Sequence, residues 1–436
     1  MREPLLSIRG AKAAQSPVRV DLELYFQATE DLYHPLENPE GKFPLNVAEN
    51  KLNWPKLEQK IREVYTENTI PSWVSRYGDA AGIESFREAV AWYLGELLFQ
   101  SLVDPDTLAV SSGLTSVIEQ TAFILGNPGD VAVIPAPSYP VYAGDLGVKS
   151  GIERYDLITH HEIEDIRSNL PLSLVHLENA KEEIEASGRK FKMLILTTPD
   201  NPTGGIYSFD QLSSIANWCI DHQIHLIVNE IYGLSIINIH HSAIAADYEN
   251  VSQYISFGKT MSELNSPFLH LWYSFSKDFG ISGFRVGVLH SYNEEVLAAY
   301  RNINLTHGVS NLTQWTLQMI LEDHLFVKQY ILQNQKLLTE SYATVAKALK
   351  ECNTGYNPSR GSLFIWIDLS HLMNDQSSVS EESLWLDIFQ KTGILLTPTN
   401  GFGHTKKGLF RMVISYYDAP GMSVAMKRLT QYLANK

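Results

Sequence analysis

The chain has 436 residues, of which 44% are hydrophobic, 11% aromatic and 19% charged. This length is enough for two domains with buried cores, and the composition argues against intrinsic disorder. The formal net charge of −15 disfavours nucleic acid and anionic membranes as partners, and no apolar run reaches the roughly 18–20 residues of a membrane span. Two cysteines and a charged N-terminus without a signal-like apolar stretch indicate a reduced, cytoplasmic protein without a disulfide framework or a cysteine metal site.

Apolar, β-branched runs alternate with helical periodicity through the middle of the chain. Ile83, Phe86, Val90, Tyr93 and Leu97 recur at steps of three and four, which predicts a buried stripe along one helix. Strands that alternate with helices predict an α/β fold with a mostly parallel sheet covered by helices on both faces. The predicted strands are Leu108–Ser111, Val131–Ala136, Met193–Thr198, His225–Asn229, His270–Phe275 and Arg285–His290.

The pattern changes near residue 300. A helix-rich stretch from about 293 to 350 is followed by three predicted strands, at Leu363–Leu369, Ile394–Pro398 and Arg411–Tyr416, and by a C-terminal helix. This order predicts a smaller α+β domain, which the first residues of the chain complete. We therefore expect residues 1–70 to belong to the small domain, residues 71–300 to form the large domain, and residues 301–436 to form the rest of the small domain.

The segment with the strongest chemical signal is Tyr273-Ser274-Phe275-Ser276-Lys277, with Arg285 eight residues later. A lysine at a buried strand end can have the lowered pKa that imine formation requires. Two serine hydroxyls and an arginine fork can bind a phosphate. An isolated Ser-x-Ser-Lys is more often a solvated loop, so the interpretation depends on the other motifs.

Five further motifs are spread over nearly the whole chain, and their order carries the argument. They are Ser112-Gly113-Leu114-Thr115 after a strand, Tyr139 between prolines, Asn201-Pro202-Thr203-Gly204, Asn229-Glu230-Ile231-Tyr232 and Arg411 in a late strand. Together they resemble the class I/II aminotransferases of pyridoxal-phosphate (PLP) fold type I. The similarity is greatest to the branch that resembles 1-aminocyclopropane-1-carboxylate (ACC) synthase, whose pattern matches Ala48-Glu49-Asn50-Lys51-Leu52 and Gly361–Asp368.

The resemblance implies pyridoxal 5′-phosphate as cofactor, bound as a Schiff base to Lys277. It implies that Lys277 then moves the α-proton, and that Tyr232, the second catalytic residue, hydrogen-bonds the phenolic oxygen of the cofactor and helps to set the pKa of the imine. The implied cofactor-binding set is Gly113, Leu114, Thr115, Tyr139, Asn201, Asn229, Tyr232, Ser274, Ser276, Lys277, Arg285 and Tyr77.

The resemblance also implies an amino-acid substrate and a homodimer. Arg411 would clamp the α-carboxylate of the substrate, with Asn201 beside it and Glu49 as a further substrate contact. Tyr77 would reach the cofactor phosphate of the neighbouring subunit, which places the active sites at the dimer interface.

Two positions depart from the family pattern. Position 229 is asparagine where the family has an aspartate that keeps the pyridine nitrogen protonated, and a protonated ring is the better electron sink. The run Gly147-Val148-Lys149-Ser150-Gly151 lacks the arginines that plant ACC synthases carry there. We expect Lys149 to compensate for them in part. The first departure disfavours a fast transaminase, and the second disfavours S-adenosylmethionine as the substrate.

Several functions therefore stay open at this stage. An aminotransferase is favoured over an ACC-synthase-like α,γ-elimination, and a specialised reaction at the α-, β- or γ-carbon is a third option. A non-catalytic binding protein of the same fold is a different class of function, which only Asn229 supports. The pairs His160-His161 and His240-His241 lack metal-ligand partners at suitable spacing and are expected in surface loops.

Overall fold

The computed structural model describes residues 5–15, 21–159, 172–249 and 251–436. The pair His160-His161 lies outside these ranges. The strands are β1 (Phe43–Pro44), β2 (Leu108–Ser112), β3 (Val131–Ala136), β4 (Glu153–Ile158), β5 (Phe191–Thr197), β6 (His225–Asn229), β7 (Leu269–Ser274), β8 (Val286–Ser291), β9 (Gly355–Asn357), β10 (Phe364–Asp368), β11 (Ile394–Leu395), β12 (Thr397–Pro398) and β13 (Leu409–Val413).

The helices divide into those that surround the main sheet and those of the two ends of the chain. The helix predicted from the stripe at 83–97 is present, and it ends in a π-helical turn at Leu94–Phe99. The α-helices are α1 (Ile8–Gln15), α2 (Leu22–Thr29), α3 (Trp54–Glu67), α4 (Glu84–Tyr93), α5 (Leu114–Leu125), α6 (Tyr142–Gly147), α7 (Leu174–Ala186), α8 (Phe209–Asp221), α9 (Phe257–Leu264), α10 (Phe275–Asp278), α11 (Glu294–Ile303), α12 (Asn311–Glu322), α13 (His324–Glu351), α14 (Ser378–Thr392) and α15 (Ala419–Ala434).

The main sheet has seven strands in the order β2-β8-β7-β6-β5-β3-β4. Six of them run parallel to one another, and β8 runs antiparallel to both of its neighbours. The mostly parallel α/β fold predicted from the sequence is confirmed. Because the parallel strands share one direction, their carboxyl ends meet at one edge, which is where open α/β sheets bind ligands.

The edge strand β4 was not predicted. Its residues Glu153, Arg154 and Asp156 are partly exposed, so it lacks the apolar run that marks a strand buried on both faces. The strand predicted at Ile394–Pro398 is also corrected, because it is two short strands with different partners. Strand β11 pairs in parallel with β1, whereas β12 pairs antiparallel with β13.

The N-terminal segment is joined to the C-terminal strands. Phe43 pairs with Ile394, the Val413 amide donates to the Leu45 carbonyl at 2.9 Å, and the Lys51 amide donates to Ser415 at 2.9 Å. The assignment of residues 1–70 to the small domain stays a prediction. The boundaries near residues 70 and 300 stay predictions. In the described part of the chain, no helix is both long and apolar enough to cross a membrane.

Three buried histidines lie at the amino ends of the parallel strands, opposite the edge where ligands bind. His225 Nδ1 lies 3.0 Å from His270 Nε2, and His270 Nδ1 lies 2.9 Å from Ser291 Oγ. Both ring nitrogens of His290 are buried without a hydrogen-bond partner. Burial lowers the pKa of His225 and of His290 to about 4, and that of His270 well below its usual range.

We expect His290→Leu to make the free energy of unfolding less sensitive to acid. An imidazole whose pKa is lower in the folded state favours folding above about pH 6.5, and this contribution is lost as the pH falls towards 4. For His290 the loss between pH 7.5 and pH 5 is about 2 kcal/mol. Urea unfolding at both pH values measures it. The exposed loop variant His240→Gln should keep the wild-type difference, and an unchanged difference in His290→Leu would contradict the prediction.

Candidate active site

Lys277 lies just beyond the carboxyl end of β7, in the short helix α10. Its Nζ donates a hydrogen bond to the Ala48 carbonyl oxygen at 2.5 Å. The next residue, Asp278, is fully buried and accepts hydrogen bonds from Ser235 Oγ at 2.6 Å and from Tyr273 OH at 2.9 Å. Burial raises the pKa of Asp278 to about 7. These bonds fix the turn that carries Lys277 between the main sheet and the N-terminal segment.

A cavity of about 720 Å³ opens in front of Lys277. This volume is within the range of about 300–1,000 Å³ that small-molecule sites have. Its wall combines the carboxyl edge of the main sheet with the N-terminal segment and the C-terminal strands. Of the residues predicted for the site, the wall contains Leu114, Thr115, Tyr139, Asn201, Asn229, Tyr232, Ser276, Lys277, Arg285 and Arg411.

One end of the cavity has the features of an anion site. Helix α5 begins there after Gly113, whose φ of 85° favours glycine. The Arg285 guanidinium lies against Gly113, so a Cβ atom at that position would collide with it. A Cβ atom at Gly287 would lie 2.6 Å from the Gly113 carbonyl carbon. The glycines thus allow an arginine and a helix N-terminus to meet at one point, where both attract an anion.

Ser276 lines this end of the cavity, whereas Ser274 lies behind it. Ser274 Oγ is 2.7 Å from the Val286 carbonyl oxygen and accepts a hydrogen bond from the Ser276 amide at 3.2 Å. It is fully buried. Ser274 therefore joins β7 to β8 and holds Ser276 in place.

Arg411 lies on β13 at another part of the wall. Its Nη1 donates to Asn201 Oδ1 at 2.8 Å, and its Nη2 donates to the Asn46 carbonyl at 2.6 Å. The guanidinium carbon lies 4.3 Å from the centre of the Phe364 ring. The nearby Tyr232 is buried, and burial raises the pKa of its hydroxyl above the usual value, so the hydroxyl is a hydrogen-bond donor at neutral pH.

Asn229 is buried at the end of β6 with its amide orientation fixed by two bonds. Its Oδ1 accepts the Ile231 backbone N–H at 3.1 Å, and its Nδ2 donates to Tyr142 OH at 2.8 Å. Rotating the amide by 180° would place two donors against each other at Ile231. Tyr142 OH lies 3.1 Å from Thr197 Oγ1, so the amide belongs to a buried chain of three polar side chains.

Comparison with protein families identifies the chain. The family described as aminotransferase class I and II matches residues 41–429. The chain is a member of that family.

Relatives and solved structures extend this assignment. ACC synthase from Glycine max is 30% identical over 416 residues, which covers 93% of this chain and 84% of the relative. ACC synthase 2 from Arabidopsis thaliana is 29% identical over 414 residues, with 93% and 81% covered. Aspartate aminotransferase from Thermus thermophilus with maleate matches with a TM-score of 0.76 and 17% identity over 99% of this chain and 100% of that chain. The fold is PLP fold type I.

Members of this aminotransferase family depend on PLP, and the described residues fit it. The guanidinium and helix N-terminus at Gly113 match its phosphate. Lys277 matches its aldehyde, and Tyr139 supplies an aromatic face. In the described residues, no cluster of three or more His, Cys, Asp or Glu side chains could hold a metal ion.

Glu49, Lys149 and Tyr77, which the resemblance brought forward, do not line this cavity in the single chain. Glu49 Oε2 lies 3.1 Å from Lys51 Nζ and accepts a hydrogen bond from Tyr25 OH at 3.1 Å. Lys149 pairs with Glu119 at 2.8 Å, and its side chain is 61% exposed. Tyr77 is fully exposed.

The sequence did not single out two further residues of the wall. Tyr142 orients Asn229, as described above. Asp145, one helical turn later, has a buried Oδ2 without a partner, and burial together with the Glu119 charge raises the pKa of its carboxyl to about 7. Both lie in α6, a six-residue helix too short to give a periodic signal.

Proposed function

We propose that this chain is an aminotransferase that holds pyridoxal 5′-phosphate on Lys277 and acts on an α-amino acid. The observation that carries the proposal is that Lys277 and Arg411 face one cavity and contact the same backbone segment. Lys277 bonds the Ala48 carbonyl, and Arg411 bonds the Asn46 carbonyl, two residues earlier. An amine and a carboxylate-binding guanidinium are thereby fixed relative to each other, as an α-amino acid requires.

The proposed cofactor contacts follow from the wall of the cavity. The amides at the start of α5, with Ser276 and Arg285, would bind the phosphate, and the ring of Tyr139 would pack on the pyridine. Tyr232 would donate to the phenolic oxygen. Because Asn201 Oδ1 already accepts from Arg411, its Nδ2 is the group that would also donate there. When bound, the cofactor supplies the electron sink for the α-carbon.

Proton transfer is assigned to Lys277. Its amine would take the α-proton of the substrate and return it to the cofactor side as a general base and then a general acid. The buried carboxylate of Asp278 keeps the turn in place during this transfer, through Ser235 and Tyr273. Arg411 would hold the α-carboxylate, so that the α-carbon stays within reach of the amine.

An ACC-synthase-like elimination is the second candidate, since the curated relatives above carry that name. Two contacts favour transamination instead. The Glu49 carboxylate, proposed to contact the substrate, is paired with Lys51, which weakens its attraction for a sulfonium. Lys149, proposed to replace a missing arginine, is paired with Glu119 at the surface.

We also propose a homodimer in which Tyr77 reaches the phosphate of the neighbouring active site. Its full exposure in the single chain supports this arrangement. Light scattering on the purified protein would measure its oligomeric state. An enzyme that is active as a monomer would contradict the proposed homodimer.

The function is tested by mixing the purified protein, loaded with pyridoxal phosphate, with a panel of amino acids that includes S-adenosylmethionine. We expect a visible band of bound cofactor that disappears with an amino acid as a keto acid forms. Arg411→Lys should keep the band and raise KM by about 100-fold, because it loses a bidentate carboxylate contact. Arg428→Lys, whose guanidinium bonds Gly41 and Pro39 carbonyls elsewhere, is the control.

Two results would decide against the proposal. ACC and methylthioadenosine formed from S-adenosylmethionine, without any keto acid, would establish the elimination instead. A protein with no visible band even with added pyridoxal phosphate would exclude both reactions and leave the non-catalytic binding protein.

A further inference from the structure

Arg154, on the edge strand β4, forms several hydrogen bonds with the loop that carries Tyr139. Its Nη1 donates to the carbonyl oxygens of Tyr139 at 3.0 Å and Pro140 at 3.1 Å, and its Nη2 donates to Ser138 Oγ at 2.9 Å. Its Nε and Nη2 also donate to Asp156 Oδ1, at 2.8 and 2.6 Å. All five N–H groups of the guanidinium are thus used, and the side chain is only 8% exposed.

The same loop is held from its other side by the C-terminal part of the chain. The Ser138 amide donates to the Phe402 carbonyl at 2.8 Å. Gly403 has a φ of 80°, and a Cβ atom there would lie 2.8 Å from Asp156 Cγ. Phe402 lines the cavity, and its ring centre lies 5.5 Å from the guanidinium carbon of Arg411. Arg154 and Asp156 therefore tie the Tyr139 loop to the segment that packs on Arg411.

We propose that Arg154 is a positioning residue, which sets the tilt of the Tyr139 ring and couples it to the segment around Phe402. The proposal rests on the proposed function, in which Tyr139 packs on the pyridine ring. The planar fork of arginine matches three oxygens of one turn at once, whereas a lysine ammonium has three donors and no fork. Without these bonds, the loop would lose three side-chain hydrogen bonds and keep its backbone bonds, among them the one from Ser138 to Phe402.

The test compares Arg154→Lys with Arg189→Lys, both loaded with pyridoxal phosphate. Arg189 pairs at 2.9 Å with Glu153, which lies on β4, but this pair is at the surface. Arg189→Lys therefore controls for the replacement of an arginine that does not contact the Tyr139 loop. We expect Arg154→Lys to bind pyridoxal phosphate about tenfold more weakly. The circular dichroism of the visible band, per mole of bound cofactor, should fall by about half, because the asymmetric packing of the ring is loosened.

A purely structural role would lower the melting temperature and leave the dichroism per bound cofactor unchanged, which would overturn the proposal. If Arg154→Lys does not fold, Ser138→Ala removes a single one of these hydrogen bonds and should shift both readouts in the same direction by a smaller amount. If Ser138→Ala folds and both its affinity for pyridoxal phosphate and its dichroism per bound cofactor equal those of the wild type, the proposal for Arg154 is overturned. A wild-type protein without any visible band would instead refute the proposed function.

Discussion

Lys277→Ala is expected to abolish the visible band of bound pyridoxal phosphate and to reduce turnover by at least about 10⁴-fold. The substitution removes the covalent attachment point and the proton-transfer group together, and general acid–base transfer alone contributes about 10²–10⁴-fold. Absorption spectra and single-turnover kinetics with a reactive amino acid measure the two losses separately. The exposed Lys259→Ala, in α9, is the matched control and should behave as wild type.

Adding a small amine to Lys277→Ala would show whether its loss of activity comes from the missing amine or from a folding defect. Removing the side chain leaves space beside the Ala48 carbonyl, where a small primary amine in solution can take the place of the lysine amine. We expect added ethylamine to restore part of the proton transfer without changing the melting temperature. A Lys277→Ala protein that keeps the wild-type band and rate would exclude Lys277 as the attachment point.

Asn229→Asp is expected to accelerate transamination, on the order of 10²-fold. If residue 229 faces the pyridine nitrogen, a carboxylate there stabilises the protonated ring, and a protonated ring stabilises the carbanion left by the α-proton. A charge pair in a dry site is worth several kcal/mol, and each 1.36 kcal/mol is tenfold in rate. The measurement is the rate of cofactor conversion with one amino acid in a single turnover.

The surroundings of Asn229 can accept this change. An aspartate oxygen can still accept the Ile231 N–H, and the Tyr142 hydroxyl can turn to donate where it now accepts. The fold should therefore persist, and the exposed Asn217→Asp in α8 controls for the added charge. An unchanged or slower rate in Asn229→Asp would remove the electron-sink argument, and with it the main reason to doubt an ordinary transaminase.

The fold was predictable where the local pattern matched the final environment. Strands β3 and β6 are buried along their whole length, and their apolar runs predicted them with the observed bounds. The run at 394–398 misled because it breaks at Leu396, whose carbonyl accepts the Trp385 indole N–H at 2.7 Å. Trp385 lies in α14, outside the run at 394–398, so no pattern within the run signals the break.

The site was predictable as a set of residue types in order, and less so as a network. Ten predicted residues line one cavity. Tyr142 and Arg154 were missed because their importance depends on which groups they touch. Tyr142 meets Asn229 87 positions later, and Arg154 meets a loop 14–16 positions earlier. A tyrosine or an arginine without such a partner looks the same in the sequence.

The pairing of β1 with β11 has a consequence for the synthesis of the protein. The wall of the cavity needs the segment at 46–48, which is anchored by strands about 350 residues further along the chain. All strands of the main sheet precede residue 292, so the sheet can form on the ribosome while the wall is still incomplete. The pairing of β1 with β11 closes a loop of about 350 residues, so it cannot form before β11 has been synthesised. If the cofactor binds as proposed, its uptake requires β13, which carries Arg411, and a chain that stops before β13 would have the sheet without this part of the wall.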